Sequence, residues 1–432
     1  MLLRTDEQTI SDLGIFGNKG SGSIYELFHR VNSRGGAEVL EEMFRKPLAD
    51  RDAINRRIRI IESFAGSDVR FPYDAVLIDA AEKYLADRRQ EARNESGPAF
   101  MGEKEMQSGV GAILDIFQKT RAFVDLAEVK DIPAFSAERA DLCELLDDPA
   151  FRPVFSERSG HRMSFSALTA YDGLLRLTER DKIQQLLGYM YFLDVYISVA
   201  RVARERNFIF PRALEKGRGE LHLNGVFHPG IKEAVPNDIT MDSSRNVVFL
   251  SGANMAGKST FLRSVSTALY LAHMGFPVPA RSMQFSVLDG IYTTINLPDN
   301  LGIGASHFYV EVLRVKKIAS ELTTGQSFFI LFDELFRGTN VKDAHEATVA
   351  VATGFARKKN SLFIISSHIV EAAKDLEQTA GFAFHFLPTR MEGSVPVYTY
   401  KLEKGVTDDR HGMIIIKNEG ILEILKHGKK LS

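Results

Sequence analysis

Residues 251–260 read Ser-Gly-Ala-Asn-Met-Ala-Gly-Lys-Ser-Thr, so Gly252, Gly257, Lys258 and Ser259 fit the pattern G-x-x-x-x-G-K-[ST]. In that pattern glycines let backbone N–H groups close on phosphate oxygens at a helix N-terminus. Lys258 would reach the β- and γ-phosphates of ATP, and the Ser259 hydroxyl would help hold Mg²⁺. The candidate nucleotide-binding residues are therefore Gly252, Ala253, Asn254, Met255, Ala256, Gly257, Lys258, Ser259 and Thr260. The competing reading is a Gly/Ser turn before an ordinary helix. A second cluster, Asp333-Glu334, ends the apolar run Ser327-Phe-Phe-Ile-Leu-Phe. Asp333 would hold Mg²⁺ through water, and Glu334 would orient or deprotonate the attacking water. Alone, that cluster reads as a solvated acidic turn; a phosphate loop upstream reverses the preference. A third apolar run ends in Ser366-Ser367-His368, where His368 would sense the γ-phosphate. Taken singly, such a histidine is more often structural.

Chemistry of this kind needs a strand–loop–helix to present it. Asn246–Leu250 is a short β-type run before the loop, and Thr260–Ala272 places Phe261, Leu262, Val265 and Leu269 at helical spacing. From Phe210-Pro211 onward, β-type runs alternate with helical patterns: 246–250, 285–287, 291–295, 327–332, 362–366, 382–386 and 397–402. That alternation predicts an α/β domain with a mainly parallel sheet covered on both faces, ligands binding at the strands' C-terminal edge. The last two runs, 382–386 and 397–402, read as an antiparallel addition. Before this, the pattern is helix after helix. Ile24, Leu27, Phe28, Val31, Val39, Leu40 and Met43 recur at helical spacing, interrupted at Gly35-Gly36, and Asp50 is placed to cap a helix carrying Ile54, Ile58, Ile61 and Phe64. Further helical patterns lie near 75–95, 106–130, 136–147 and 165–206. The expected division is an all-α region, 1–215, followed by an α/β region, 216–432.

Composition narrows the classes. A chain of 432 residues is long for one core, and 44% apolar with 25% charged residues is ordinary for a folded protein. The net charge of −2 carries no global basic signal, so nucleic-acid binding has to come from local patches. Two candidates are Arg51, Arg56, Arg57 and Arg59, and Arg201, Arg204 and Arg206. Neither is interleaved with aromatics, and both read first as solvated faces or interdomain contacts. A single cysteine, Cys143, excludes an internal disulfide. With no signal-peptide pattern and no apolar run near the ~20 residues of a membrane span, a cytoplasmic protein without membrane contact is expected.

Together the motifs resemble the ATPase domain of the MutS mismatch-repair family, a branch of the P-loop ABC ATPases. Gly252-Ala-Asn-Met-Ala-Gly-Lys-Ser-Thr260 is similar to the family's G-P-N-M-G-G-K-S-T, departing at Ala253 and Ala256. Asp333-Glu-Leu-Phe-Arg-Gly-Thr-Asn340 resembles D-E-I-G-R-G-T-S, and Ser367-His368 resembles T-H. Ser306-His-Phe-Tyr-Val-Glu311 resembles S-T-F-M-x-E, with His307 in place of Thr. Phe227-His228-Pro229, Arg410-His-Gly-Met413 and the stretch from Asp12-Leu13 to Ile61 extend the likeness more weakly. The resemblance implies a Mg²⁺-dependent ATPase acting as a homodimer on DNA. In such a dimer, Ser306 would reach the γ-phosphate held by the partner's loop, and Asn340 would line the dimer contact. The helical region would be the lever of the family, with its DNA clamp reduced or absent. The resemblance begins at lever-like sequence, so mismatch-reading and connector domains are not expected in this stretch, nor is a C-terminal nuclease.

Three functions compete at this point. The first is a MutS-like ATPase acting on duplex or branched DNA, in mismatch repair, recombination or genome maintenance, with repair-protein partners. The second is a nucleotide-gated dimeric assembly module that switches a protein partner without touching DNA. The third, a transporter ATPase subunit, is disfavoured by the Asn254-Met255 pair and the long helical region.

Overall fold

The computed structural model describes residues 1–17, 22–86, 102–157, 162–253, 255–295, 307–392, 395–407 and 420–427. By contact the chain forms two compact units: Met1–Glu26, Lys46–Asn55 and Asn207–Ser432 in one, Leu27–Arg45 and Arg56–Arg206 in the other. The first unit thus takes in residues from the chain's start as well as those from Asn207 onward. Residues from the chain's start join the α/β unit through backbone pairing: the Arg4 amide donates to the Asp289 carbonyl (2.8 Å), and the Leu48 amide to that of His273 (2.9 Å). Such pairing spans long sequence separations and leaves no local pattern.

The helical unit is built on the helix Arg180–Arg206. Its Asp194 is fully buried and accepts hydrogen bonds from the Ser33 amide (2.8 Å), the Ser33 hydroxyl (2.7 Å) and the Asn32 amide (2.9 Å). Ser33 Oγ in turn accepts from the Gly36 amide (3.0 Å), starting the helix Arg34–Arg45. Gly35 and Gly36 therefore lie inside a helix, where the sequence pattern had indicated an interruption. The reason is space: a Cβ on Gly36 would meet Asp194 Oδ2 at 2.6 Å, and one on Gly35 would meet the Tyr191 ring at 2.4 Å. Asp50 caps the helix Arg51–Ala65 through the Ala53 amide (2.8 Å). The expected stripe Ile54, Ile58, Ile61 and Phe64 is buried. Arg180–Arg206 is long and apolar enough, by length and composition, to cross a membrane, which the sequence pattern had not indicated. Its apolar window is 67% buried within the fold, as a core helix's would be. The 165–206 stretch is also not continuous: Phe165–Asp172 passes through a π-helical turn, Gly173–Thr178.

The other unit carries twelve strands among its described residues: β1 (Arg212–Leu214), β2 (Leu221–Val226), β3 (Asn237–Met241), β4 (Val247–Gly252), β5 (Ser282–Ser286), β6 (Gly290–Thr294), β7 (Phe328–Phe332), β8 (Leu362–Ser366), β9 (Phe382–Leu387), β10 (Thr389–Glu392), β11 (Val395–Tyr398) and β12 (Glu403–Lys404). A four-stranded sheet runs β1-β5-β2-β3, and its β2 and β3 alternate buried and exposed side chains, as a sheet with one solvated face must. A six-stranded sheet runs β12-β9-β4-β8-β7-β6. There β4 pairs parallel with β8 and β9, β7 with β6 and β8, and only β12 is antiparallel. Every residue of β6, β7 and β8 is buried, which is why these strands read as unbroken apolar runs. On one face Phe332, Phe355 and Phe363 stack at centroid distances of 5.9 and 4.7 Å, each ring contributing about 1.5–3 kcal/mol by burial.

The expected antiparallel pairing of the last two runs is corrected. β9 joins β4 in parallel, and β11 pairs instead with β10, Glu392 opposite Val395. The intervening Gly393-Ser394 is a two-residue hairpin signal that the sequence reading passed over.

Candidate active site

Because β4, β7 and β8 are parallel neighbours in the order β4-β8-β7, the segments that leave their C-terminal ends share one edge of the sheet. These segments are the glycine loop, Asp333-Glu334 and Ser367-His368. Gly252 has φ +143° and Gly257 φ +96°, so the loop uses glycine where the backbone turns through conformations that side chains disfavour. Met255 adopts φ +67° with its side chain 75% exposed at the loop's tip. Ala256 is buried, and its amide donates to the Ala253 carbonyl (3.3 Å). The helix Lys258–His273 starts at Gly257 with no side-chain cap. Its first amides thus point out unbonded, the arrangement that receives anions. Asn254 lies outside the described residues.

Lys258 is buried at 5% exposure, and its Nζ donates to the carbonyls of Gly252 (2.7 Å) and Ala253 (3.0 Å). Burial pushes its pKa down, opposed by the Glu334 and Asp333 carboxylates. The ammonium is therefore held at the loop's mouth by weak carbonyl acceptors that a phosphate can replace. Ser259 Oγ donates to Asp333 Oδ2 (2.5 Å), joining the two motifs directly. Ser366 Oγ donates to Asp333 Oδ1 (2.5 Å) and accepts from the Glu334 amide (3.0 Å). The Asp333 amide donates to the Thr294 carbonyl at the end of β6 (2.8 Å). A serine hydroxyl and a carboxylate converging here form a hard-oxygen donor pair of the kind Mg²⁺ takes.

Glu334 and Phe336 both have positive φ, +58° and +62°, so the turn after β7 runs through backbone conformations that side chains disfavour. His368 Nε2 lies 2.6 Å from Glu334 Oε1, and Arg337 donates to Oε2 at 3.3 Å. The His368 hydrogen bond, against the cost of burial, and the His368 and Arg337 charges bring the Glu334 carboxyl from its ordinary value of 4.5 down to about 2. Asn340 caps the helix Val341–Ala356: its Oδ1 accepts from the Asp343 amide (3.0 Å).

The structure thus brings Gly252, Ala253, Met255, Ala256, Gly257, Lys258, Ser259, Thr260, Asp333, Glu334 and His368 to one sheet edge. Ser306 and Arg410–Met413 lie outside the described residues. Three participants escaped the sequence reading. Ser366 is a bridging hydroxyl whose only signal was its place at the end of a buried strand. Arg337 was legible by its i,i+3 spacing from Glu334. Tyr400 packs its ring against the loop, where a Cβ on Gly257 would meet Tyr400 Cδ1 at 2.9 Å, and nothing local marks it.

Several of the candidate arginines have partners within the chain while their side chains stay 41–54% exposed. Arg51 pairs with Asp52 and Glu215, and Arg56 with Glu138 (2.9 Å). Arg201 donates to the Arg30 carbonyl, and Arg204 to that of Ser67.

Residues 248–431 match the sequence model of MutS domain V. The chain is 30% identical to the DNA mismatch repair protein MutS of Petrotoga mobilis over 259 residues, 58% of this chain and 31% of that protein. It is 27% identical to the MutS of Pelotomaculum thermopropionicum over 382 residues, 82% of this chain and 44% of that protein. Against the DNA mismatch repair protein MSH7 of Arabidopsis thaliana the identity is 25% over 488 residues, 97% of this chain and 43% of that protein. The aligned stretches therefore span less than half the length of each of these relatives.

Proposed function

This chain belongs to the MutS family through its domain V, residues 248–431, and from that premise we propose that it is a P-loop ATPase of the ABC type working as a homodimer on DNA. The observation that carries the ATPase reading is the meeting of three strand ends. Ser259 bonds Asp333 (2.5 Å), and His368 sits on Glu334 (2.6 Å), beside a helix N-terminus guarded by Lys258.

ATP is the substrate, its phosphates received by the loop amides from Gly252 to Thr260 and by Lys258. Ser259 and Asp333 would hold Mg²⁺, which when bound neutralises charge on the β- and γ-oxygens. Glu334 would face the attacking water. The His368 hydrogen bond and the Arg337 charge hold its carboxyl low, which suits it to orient that water and to offer a fixed negative charge. His368 holds Glu334 in that state. Ser306 would complete the site of the partner subunit, and Asn340, already fixed as a helix cap, would stand at the dimer contact. ATP binding then favours one dimer arrangement, and hydrolysis removes the contacts that sustain it. We read the setting as cytoplasmic and the pathway as mismatch repair or a related form of genome maintenance.

One observation favours a second reading. Arg56, Arg201 and Arg204 of the basic groups proposed for DNA already have partners within the chain, which suits a nucleotide-gated module that switches a protein partner. Mobility shifts with homoduplex, mismatched and four-way-junction DNA, each with and without a non-hydrolysable ATP analogue, separate the two. Retention that weakens steeply with salt supports the DNA reading. No retention of any of the three, by protein that binds nucleotide, transfers the reading to the assembly module.

A further inference from the structure

The β6 strand is an edge of the six-stranded sheet, yet its outer amides are not open. The Ile291 amide donates to the Arg4 carbonyl (2.9 Å), the Thr293 amide to Thr9 Oγ1 (3.0 Å) and the Ile295 amide to Asp12 Oδ2 (2.9 Å). Asp12 Oδ2 also accepts from Thr293 Oγ1 (2.9 Å). Three consecutive outward amides are thus closed by one short stretch, first by backbone and then by side chains. That stretch is fixed in its turn. Asp6 caps the helix Glu7–Asp12 through the Thr9 amide (3.1 Å) and pairs with Arg314 and with Lys317 (3.0 Å). Arg314 is itself 8% exposed and donates onward to the Thr293 carbonyl (2.8 Å) and Thr294 Oγ1 (3.2 Å). Burial opposes ionisation of Asp6, but the Arg314, Thr9 and Lys317 bonds hold its carboxyl well below the usual range.

The inner side of the same strand end touches the chemistry. The Thr294 carbonyl accepts the Asp333 amide (2.8 Å), and Asp333 is the carboxylate bonded to Ser259 and Ser366. Edge closure alone needs only polar or charged residues along the strand, or any covering loop. Here the bonds concentrate at residues 293–295, the end that carries Asp333, and employ buried side chains: Thr9 at 0% and Asp12 at 4% exposure.

We propose that the segment Arg4–Asp12 is a positioning strap for hydrolysis. Asp12 and Thr9 set the end of β6, and through the Thr294 carbonyl they set Asp333 against Ser259. Asp12 and Thr9 are positioning residues, since neither reaches the loop itself. The inference rests on the ATPase reading of the same site.

The test uses the full chain with Asp12→Ala, Asp12→Asn and Thr9→Val, measured for nucleotide affinity, steady-state turnover and amide hydrogen exchange over residues 328–334. The strap predicts that Asp12→Ala lowers kcat about 10-fold or more while the Kd for ATP stays within about twofold. Exchange at 328–334 quickens in the same variant. Asp12→Asn, which keeps an oxygen acceptor for Thr293 and Ile295, restores most of the turnover. Wild-type kcat in a folded Asp12→Ala protein overturns the proposal and leaves the ATPase reading standing. So does a parallel loss of kcat, affinity and thermal stability that Asp12→Asn fails to rescue. If Asp12→Ala does not fold, Thr9→Val, which removes the acceptor of the Thr293 amide and the hydroxyl's bond to Asp6 Oδ1 (2.9 Å), decides by the same readouts. A wild-type chain that binds ATP without turning it over sinks the hydrolysis reading instead. The exchange difference then decides the strap alone: faster exchange supports it, unchanged exchange overturns it.

Discussion

His368 Nε2 lies 2.6 Å from Glu334 Oε1, joining the C-terminal ends of β8 and β7 across the site. The contact, together with the Arg337 bond and charge, brings the Glu334 pKa from 4.5 to about 2 against the cost of burial, so its contribution to stability is fully present above 4.5 and is lost as pH falls toward 2. In His368→Ala, titration of Glu334 should move up toward its ordinary value, and the acid side of the stability profile should begin to fall at higher pH. Carboxyl chemical shifts against pH measure this directly. A Glu334 titration identical in the variant and the wild type would sink the pairing.

Glu334→Gln keeps the shape of the side chain and removes its charge. Turnover should fall by roughly 10²-fold or more, while ATP affinity changes by only a few-fold. Single-turnover hydrolysis and equilibrium binding of a fluorescent nucleotide separate the two quantities. Unchanged hydrolysis would remove Glu334 from its assigned role.

Gly257→Ala meets two obstacles at once, a φ of +96° and the Tyr400 ring 2.9 Å from the new Cβ. A loss of about 1–2 kcal/mol in stability is expected, together with weakened nucleotide binding. Adding Tyr400→Ala should recover only the steric part, because the dihedral cost is unaffected. Urea midpoints for the two single variants and the double variant measure the coupling. Full recovery in the double variant would mean that backbone strain contributes nothing.

Asp194→Ala strips acceptors from the amides of Asn32 and Ser33 inside the helical unit. The buried Ser33 amide and hydroxyl left unpaired place the cost at about 1–3 kcal/mol, and the urea midpoint should fall accordingly. A shift below about 1 kcal/mol would show that water replaces the carboxylate there.

Ser306→Ala tests the composite site by its concentration dependence. Turnover should fall at concentrations where dimers form, with little change in the affinity of one subunit for ATP. Full activity in the dimeric range argues that each site is complete within one chain.

Much of this protein was legible without coordinates because its chemistry is written in short, contiguous stretches. The loop from Gly252 to Thr260 needs glycine at fixed spacing. The apolar runs ending at Asp333 and Ser366 are unbroken because parallel strands are buried on both faces. Asp50 announced its helix because a cap acts within three residues. What the tertiary structure alone decided involves partners far apart along the chain. Examples are Ser366 beneath Asp333, Tyr400 over Gly257, and the glycines of Gly35-Gly36 serving close packing instead of a break. The closure of β6 by Arg4, Thr9 and Asp12 belongs here too. The division has one physical cause. Backbone propensity, capping and glycine turns are local and leave a pattern in neighbouring residues, whereas a hydrogen bond between distant segments requires only that the folded chain bring a donor to an acceptor.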